Sequence, residues 1–239
     1  MAITIFKHNK TTQHFFRGNK MIKLSKTSKL DGIASFSLEA GVTCKGSIDP
    51  LTNKVCAACS GCYAKGGRYN FKNVKTPRQI NLVESKKDSW TSEMIEELDM
   101  HRYFRWFDSG DMYSVEFAQK VLEVAKATPW VKHWLPTRTW TLKEFNGVLE
   151  ELNKLPNVVV RNSAGNVTGD IVESHKNGST VIGIDHINTV SKEIHICEAY
   201  EEQNKGKCNG CRKCWNKDIK QVAYVAHGAK GKKIAKEAI

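Results

Sequence analysis

Between residues 102 and 197 the chain repeatedly sets a short β-rich run before a stretch of helical periodicity, and this alternation narrows the fold more than any other feature. The runs are RYFRWF (102–107), VKHWLP (131–136), NVVVR (157–161), TVIGI (180–184) and EIHIC (193–197), with SFSLEA (35–40) as an earlier strand. SVEFAQKVLEVAKA (114–127) places Val115, Ala118, Val121, Leu122 and Ala125 at helical spacing, with Ser114 as the expected N-cap. TLKEFNGVLEELNKL (141–155) is a second such helix, and a weaker one is expected near 168–176. A long polar segment runs from about Pro77 to Leu98, with Trp90, Met94, Ile95 and Leu98 at helical spacing. Repeated strand–helix units predict an α/β fold with a parallel sheet or a partial parallel βα barrel. At 239 residues the chain is ample for one core. Its expected parts are a basic segment (1–34), a βα body (35–196) and a cysteine-rich, cluster-binding extension with a basic tail (197–239).

Parallel βα arrays carry their chemistry at the carboxyl ends of the strands. Polar residues gather there: Asp108, Ser109 and Asp111, then Thr137 and Arg138, then Asn162 and Ser163, then Asp185 and His186. Any one of these is an ordinary cap or turn residue. Four consecutive strand ends together point to a site. Asp108, Asp111 and Asp185 also open a reading as a magnesium-dependent nuclease.

The eight cysteines fall into two sets of nearly the same layout. Cys44, Cys56, Cys59 and Cys62 give C-x11-C-x2-C-x2-C, and Cys197, Cys208, Cys211 and Cys214 give C-x10-C-x2-C-x2-C. The start MAITIFKHNK has no signal-peptide pattern, and the first 29 residues hold no membrane-spanning run. The expectation is a cytoplasmic protein without a membrane partner, in a reducing compartment where such cysteines are metal ligands rather than disulfides. A C-x2-C-x2-C run wraps the backbone around a cubane, and a more distant cysteine closes its fourth corner, so one or two [4Fe–4S] clusters are the favoured cofactors. Zinc is the alternative metal, although four-thiolate zinc sites are more often built from two separated C-x2-C knuckles.

The net charge of +12 is unevenly spread. Residues 1–30 carry seven Lys or Arg and no acid, residues 65–78 five and no acid, and residues 205–239 ten against Asp218 and Glu237. Such blocks suit a nucleic-acid partner, with Phe15, Phe16 and Tyr69 available to stack on bases. The plainer reading is a solvated basic surface ending in a disordered tail, GAKGKKIAKEAI.

The segments CSGCYAKGGRYNF, FRWFDSGDM, WLPTRT and KCNGCRKCWNKDIKQVAYVAH, in that order, resemble an uncharacterised bacteriophage gene-product family over about residues 44–227. The resemblance implies expression in the cytoplasm of a bacterial host cell. That family is similar in layout to radical S-adenosylmethionine (SAM) enzymes, which implies a partial βα barrel, a cluster on Cys56, Cys59 and Cys62, and bound SAM. Ser109, Gly110 and Asp111 would then lie near the methionyl end of SAM, with Arg138 and Asn162 near its carboxylate or ribose. The spacing departs from that pattern. Both gaps here are two residues, and the aromatic residue, Tyr63, follows the third cysteine instead of preceding it. Cys44 can also cap the fourth iron. A radical enzyme acting on nucleic acid or a nucleotide, and a non-catalytic iron–sulfur or zinc protein that binds nucleic acid or senses redox state, both remain open.

Overall fold

The computed structural model describes residues 21–172 and 176–238; the basic residues 1–20, Phe15 and Phe16 among them, lie outside the described residues. Eight strands form one sheet: β1 (Ser25–Lys26), β2 (Ala34–Phe36), β3 (Tyr103–Trp106), β4 (Lys132–Thr137), β5 (Val158–Ser163), β6 (Gly178–Ile182), β7 (Ile194–Ile196) and β8 (Gln221–Val225). Their order across the sheet is β1-β2-β3-β4-β5-β6-β8-β7. Only the β1–β2 pair is antiparallel among the described strands. From β2 to β6 each strand lies beside its sequence neighbour, as the alternating pattern predicts. The edge strands β1 and β7 are not paired with each other, so the sheet is open.

Alternation along each strand sends its side chains to opposite faces. On one face Ala34, Phe36, Phe104, Trp106, Leu135, Val158 and Val160 join the largest core. Helices α3 (Trp90–Glu97), α4 (Val115–Ala127) and α5 (Asn146–Lys154) cover that face with Trp90, Met94, Phe117, Val121, Leu149 and Leu152. Ser114 caps α4 as expected, its Oγ accepting the Phe117 N–H at 3.2 Å. The opposite face carries Tyr103, Arg105, Trp134, Arg161 and Tyr224, and Trp215 packs on it beside Trp134 and Leu30.

The polar segment over 77–98 falls in two helices, α2 (Lys72–Glu84) and α3, the second carrying the helical spacing of Trp90, Met94 and Ile95. Lys120 of α4 donates its ammonium to the carbonyls of Ser85 and Lys87, which satisfies the end of α2 and fixes the break. Residues 168–172 form no helix, and 173–175 lie outside the described residues. The lysine-rich tail is helical rather than disordered: α6 (Ala229–Glu237) buries Ala235 completely against Val167 and Ala226. Strand β8, which periodicity did not mark, inserts between β6 and β7, so residues beyond Cys197 share the sheet. Among the described residues no helix is long and apolar enough to cross a membrane.

Candidate metal centres

The first cysteine loop runs from Cys44 through a turn closed by an Ile48–Val55 bridge to the short helix α1 (Ala57–Ser60), which Cys56 precedes. Contacts from successive strand ends hold this loop. After β3, the Asp108 carbonyl accepts Tyr63 Oη–H at 3.0 Å. After β4, Arg138 Nε donates to the Gly46 carbonyl at 2.8 Å; after β5, the Gly165 carbonyl accepts the Ala58 N–H at 2.9 Å. Gly46 is required here, because a Cβ would fall 2.3 Å from the Arg138 carbonyl oxygen. Gly61 meets α6 closely, with Ile234 and Gly231 at 3.2 and 3.3 Å from where its Cβ would be. The loop therefore lies across the carboxyl ends of β3, β4 and β5.

The thiols of this loop act on one another. The neighbouring Cys59, aided by the Arg138 charge, favours the thiolate at Cys56 against the effect of burial. Cys59 is raised in turn by Cys56 and by burial. Burial, then the charges of Asp111 and Cys62, pushes Cys44 up to about 12, and burial also raises Cys62. Among the described residues no three His, Cys, Asp or Glu side chains are already grouped as metal ligands. The donor chemistry of the loop nonetheless fits a soft thiolate-bound metal, zinc or iron–sulfur, and not magnesium or calcium.

The strand-end residues anticipated from the sequence are close by, but most are engaged. The Asp111 carboxylate accepts Thr137 Oγ1–H, the Met112 N–H and the Arg138 N–H at 2.7–2.8 Å. Burial nevertheless raises its carboxyl to about 6. Ser109 Oγ donates to the Leu38 carbonyl and accepts from Arg78 Nε. Gly110 has a φ of +80° and faces Leu38 and Thr43, so it brings the turn after β3 against the loop leading to Cys44. Arg138 also donates to the Ser163 carbonyl. Asn162 is buried on β5, where alternation turns its side chain to the face opposite Arg161. Asp108 is bonded to Arg105 at 3.0 Å and Tyr69 at 2.7 Å, with Arg78 at 3.6 Å. That neutralises it as a magnesium ligand, while Asp185 stands exposed after β6; the three acids do not form one site. Tyr69 is not free to stack on a base, because its hydroxyl is bound to Asp108 and its ring lies under Arg78 at 4.8 Å.

The second set lies against the sheet face that carries Trp134, Arg161 and Tyr224. Cys197 follows β7, and its N–H donates to the Ala223 carbonyl of β8 at 2.8 Å. The Cys208 N–H reaches the Lys29 carbonyl at 2.8 Å, and Asp31 accepts from the Gly210 N–H and from Arg212. Cys214 Sγ lies 3.2 Å from Tyr224 Oη, and Trp215 Nε1–H donates to the Phe104 carbonyl of β3 at 2.9 Å. Burial, then the neighbouring Cys197 and Cys214, raises Cys208 to about 11. Among the described residues this set too is not already grouped as metal ligands.

Beside the first loop a cavity of about 200 Å³ is lined by Lys65, Tyr69, Lys75, Arg78 and Glu39. Its cationic groups suit a carboxylate or phosphate, with Glu39 already paired to Lys75 at 2.9 Å. Other members of the basic blocks are used internally: Lys213 pairs with Glu198, Arg212 with Asp31, and Lys217 donates to the carbonyls of Asn153 and Leu155. Arg105, Arg161, Tyr63 and Tyr224 were not anticipated as site residues. The one sequence signal was a charged residue inside an otherwise apolar strand, as in VVVR.

A family model for gene product 88 matches residues 10–217, and the chain belongs to that family. No curated protein and no solved structure matches it.

Proposed function

We propose that this member of the gene product 88 family is an iron–sulfur protein with a radical-SAM-like partial barrel that acts on a nucleic acid or nucleotide. The observation that carries the reading is the seating of the first cysteine loop across the carboxyl ends of β3, β4 and β5, the edge at which parallel βα arrays do chemistry. Cys56, Cys59 and Cys62 would hold three irons of a [4Fe–4S] cluster. When bound, such a cluster would supply one-electron reduction of the SAM sulfonium, in which a C–S bond breaks to leave methionine and a 5′-deoxyadenosyl radical.

The chain's own residues would do the rest. Arg138 ties the loop to β5 and favours thiolate at Cys56 and Cys59 through its charge. Asp111 positions Arg138 by holding its backbone N–H, a role for which three of its acceptor sites are already committed. Lys65 lines the neighbouring cavity beside Lys75, which is paired with Glu39, and Arg78, which is held by Ser109 and Asp108, and is the group there to meet a carboxylate or phosphate. The net charge of +12 supports an anionic partner.

The mutual influence of Cys44 with Cys62 and Cys59 supports a second reading, in which Cys44 closes the fourth corner. The protein would then be a fully ligated iron–sulfur or zinc protein that binds nucleic acid or senses redox state. Electron paramagnetic resonance of the reduced protein with and without SAM separates the two. A signal that SAM perturbs in wild type supports the enzyme. A signal that ignores SAM in wild type and responds only in Cys44→Ala rejects it.

A further inference from the structure

Arg161 stands on β5 with no exposure to solvent. Its guanidinium donates only to backbone carbonyls: Nε to Cys214 at 3.0 Å, Nη1 to Ile219 at 2.9 Å, and Nη2 to Lys213 and Asn216 at 3.0 Å each. Longer contacts of 3.4 Å reach the carbonyls of Gly178 and Lys220. Among the described residues no carboxylate pairs with it, and the groups whose negative charge would act on it are Tyr224 and Cys214. Carbonyl dipoles solvate a guanidinium without neutralising it, and a buried cation with no anion is costly, of the order of several kcal/mol. The fold therefore holds a positive charge against the end of the second cysteine loop, at the Lys213 and Cys214 carbonyls, where Cys214 and Tyr224 are the groups able to compensate it.

Other polar groups lie nearby. Tyr224 Oη is 3.2 Å from Cys214 Sγ. Cys208 and Cys214 pack against the cluster of Leu30, Trp134 and Trp215, in which the buried Trp134 Nε1–H has no hydrogen-bond partner. Hydrogen bonds to sulfur, burial and nearby charge are the means by which a protein sets the potential of a thiolate centre. A four-thiolate centre carries net negative charge whether its core is zinc or a cubane, so either would balance the guanidinium; the added donors favour a centre that changes charge.

We propose that Arg161 is the internal countercation of an iron–sulfur centre on Cys197, Cys208, Cys211 and Cys214, with Tyr224 donating to Cys214, and that together they raise its reduction potential. The step is electron uptake alone. The centre gains one electron from a low-potential one-electron donor, no bond forms or breaks, and the added negative charge falls beside Arg161.

This inference rests on the iron–sulfur reading, and the test separates the two. In full-length protein carrying Cys56→Ala, Cys59→Ala and Cys62→Ala, only the second set can load. Iron, sulfide and zinc are measured, and the centre is titrated with dithionite under paramagnetic resonance. Arg161→Met should lower the midpoint by at least a tenfold change in the reduction equilibrium, about 59 mV for a one-electron couple. Arg161→Lys should restore most of that shift, and Tyr224→Phe should move the midpoint the same way by less. An iron–sulfur centre that loads normally with unchanged midpoints in Arg161→Met and Tyr224→Phe overturns the countercation. Should Arg161→Met fail to load, Arg161→Gln takes its place, and unchanged midpoints in it and in Tyr224→Phe overturn the countercation equally. A background protein that binds zinc without sulfide, or no metal, overturns the iron–sulfur reading itself at this set.

Discussion

Gly110→Ala separates a packing role for the turn after β3 from a role in holding a cofactor. Gly110 has a φ of +80°, and an added Cβ would sit 2.6 Å from the Leu38 Cβ and 2.7 Å from the Thr43 Oγ1. The left-handed conformation costs a non-glycine residue roughly 1–2 kcal/mol. The overlap adds about 1–3 kcal/mol, because Leu38 is fully buried and cannot swing away. The expected loss is roughly 2–5 kcal/mol, which for a domain of this size lowers Tm by roughly 5–15 °C. Gly32 is the control, since its φ is +79° but nothing lies within 4 Å of its Cβ position. Gly32→Ala should cost only the conformational part, about 1–2 kcal/mol. Circular-dichroism melts of both variants, purified anaerobically, make the comparison. Equal Tm shifts would refute the close approach of this turn to the loop carrying Cys44.

Two further outcomes follow. His133 is buried, with Nδ1 accepting Trp106 Nε1–H at 3.2 Å and Nε2 beside Thr128 Oγ1 at 2.9 Å, and burial lowers it to about 4. Its folded pKa lies below the unfolded one, so its contribution is full above about 6.5 and is lost as pH falls towards 4, about 2 kcal/mol of it by pH 5. Asp111, raised by burial to about 6, opposes this over part of the range, so the term is read as the difference in urea stability between wild type and His133→Gln at pH 7 and pH 5; parallel curves would contradict it. Binding of single-stranded DNA should weaken with salt, and replacing Lys230, Lys232 and Lys236 with Gln, which leaves Ile234 and Ala235 packed, should flatten the logarithmic salt slope by about 2–3; an unchanged slope would place the contacts elsewhere.

The body of the sheet was legible because β3, β4 and β5 alternate on one covered face and their helices keep a clean apolar stripe, with Ser114 marking where one begins. What escaped was decided by long-range contact. The break between α2 and α3 depends on Lys120, a residue from the next helix. Strand β8 follows a cysteine-rich loop and finds its place only between β6 and β7. The tail helix depends on a few small residues, Gly231 and Ala235 among them, fitting against Gly61 and Ala226, a signal that its lysines conceal. Of the site, the two cysteine sets and the polar strand ends were readable from spacing. That Arg78 joins the nearby Arg105 on Asp108, or that Arg161 reaches residues 213–220, could not be read locally, since those partners lie far along the chain, 59 residues apart for Arg161 and Lys220.

The central claim is that the cysteine sets hold iron–sulfur clusters, and metal and sulfide content of anaerobically purified protein tests it most directly. The account predicts brown protein with iron and acid-labile sulfide in near-equal amounts, roughly eight of each per chain if both sets carry four-iron clusters. It predicts about half of that in Cys56→Ala/Cys59→Ala/Cys62→Ala and in Cys208→Ala/Cys211→Ala/Cys214→Ala. Stoichiometric zinc with no sulfide, from cells grown with ample iron, would contradict it.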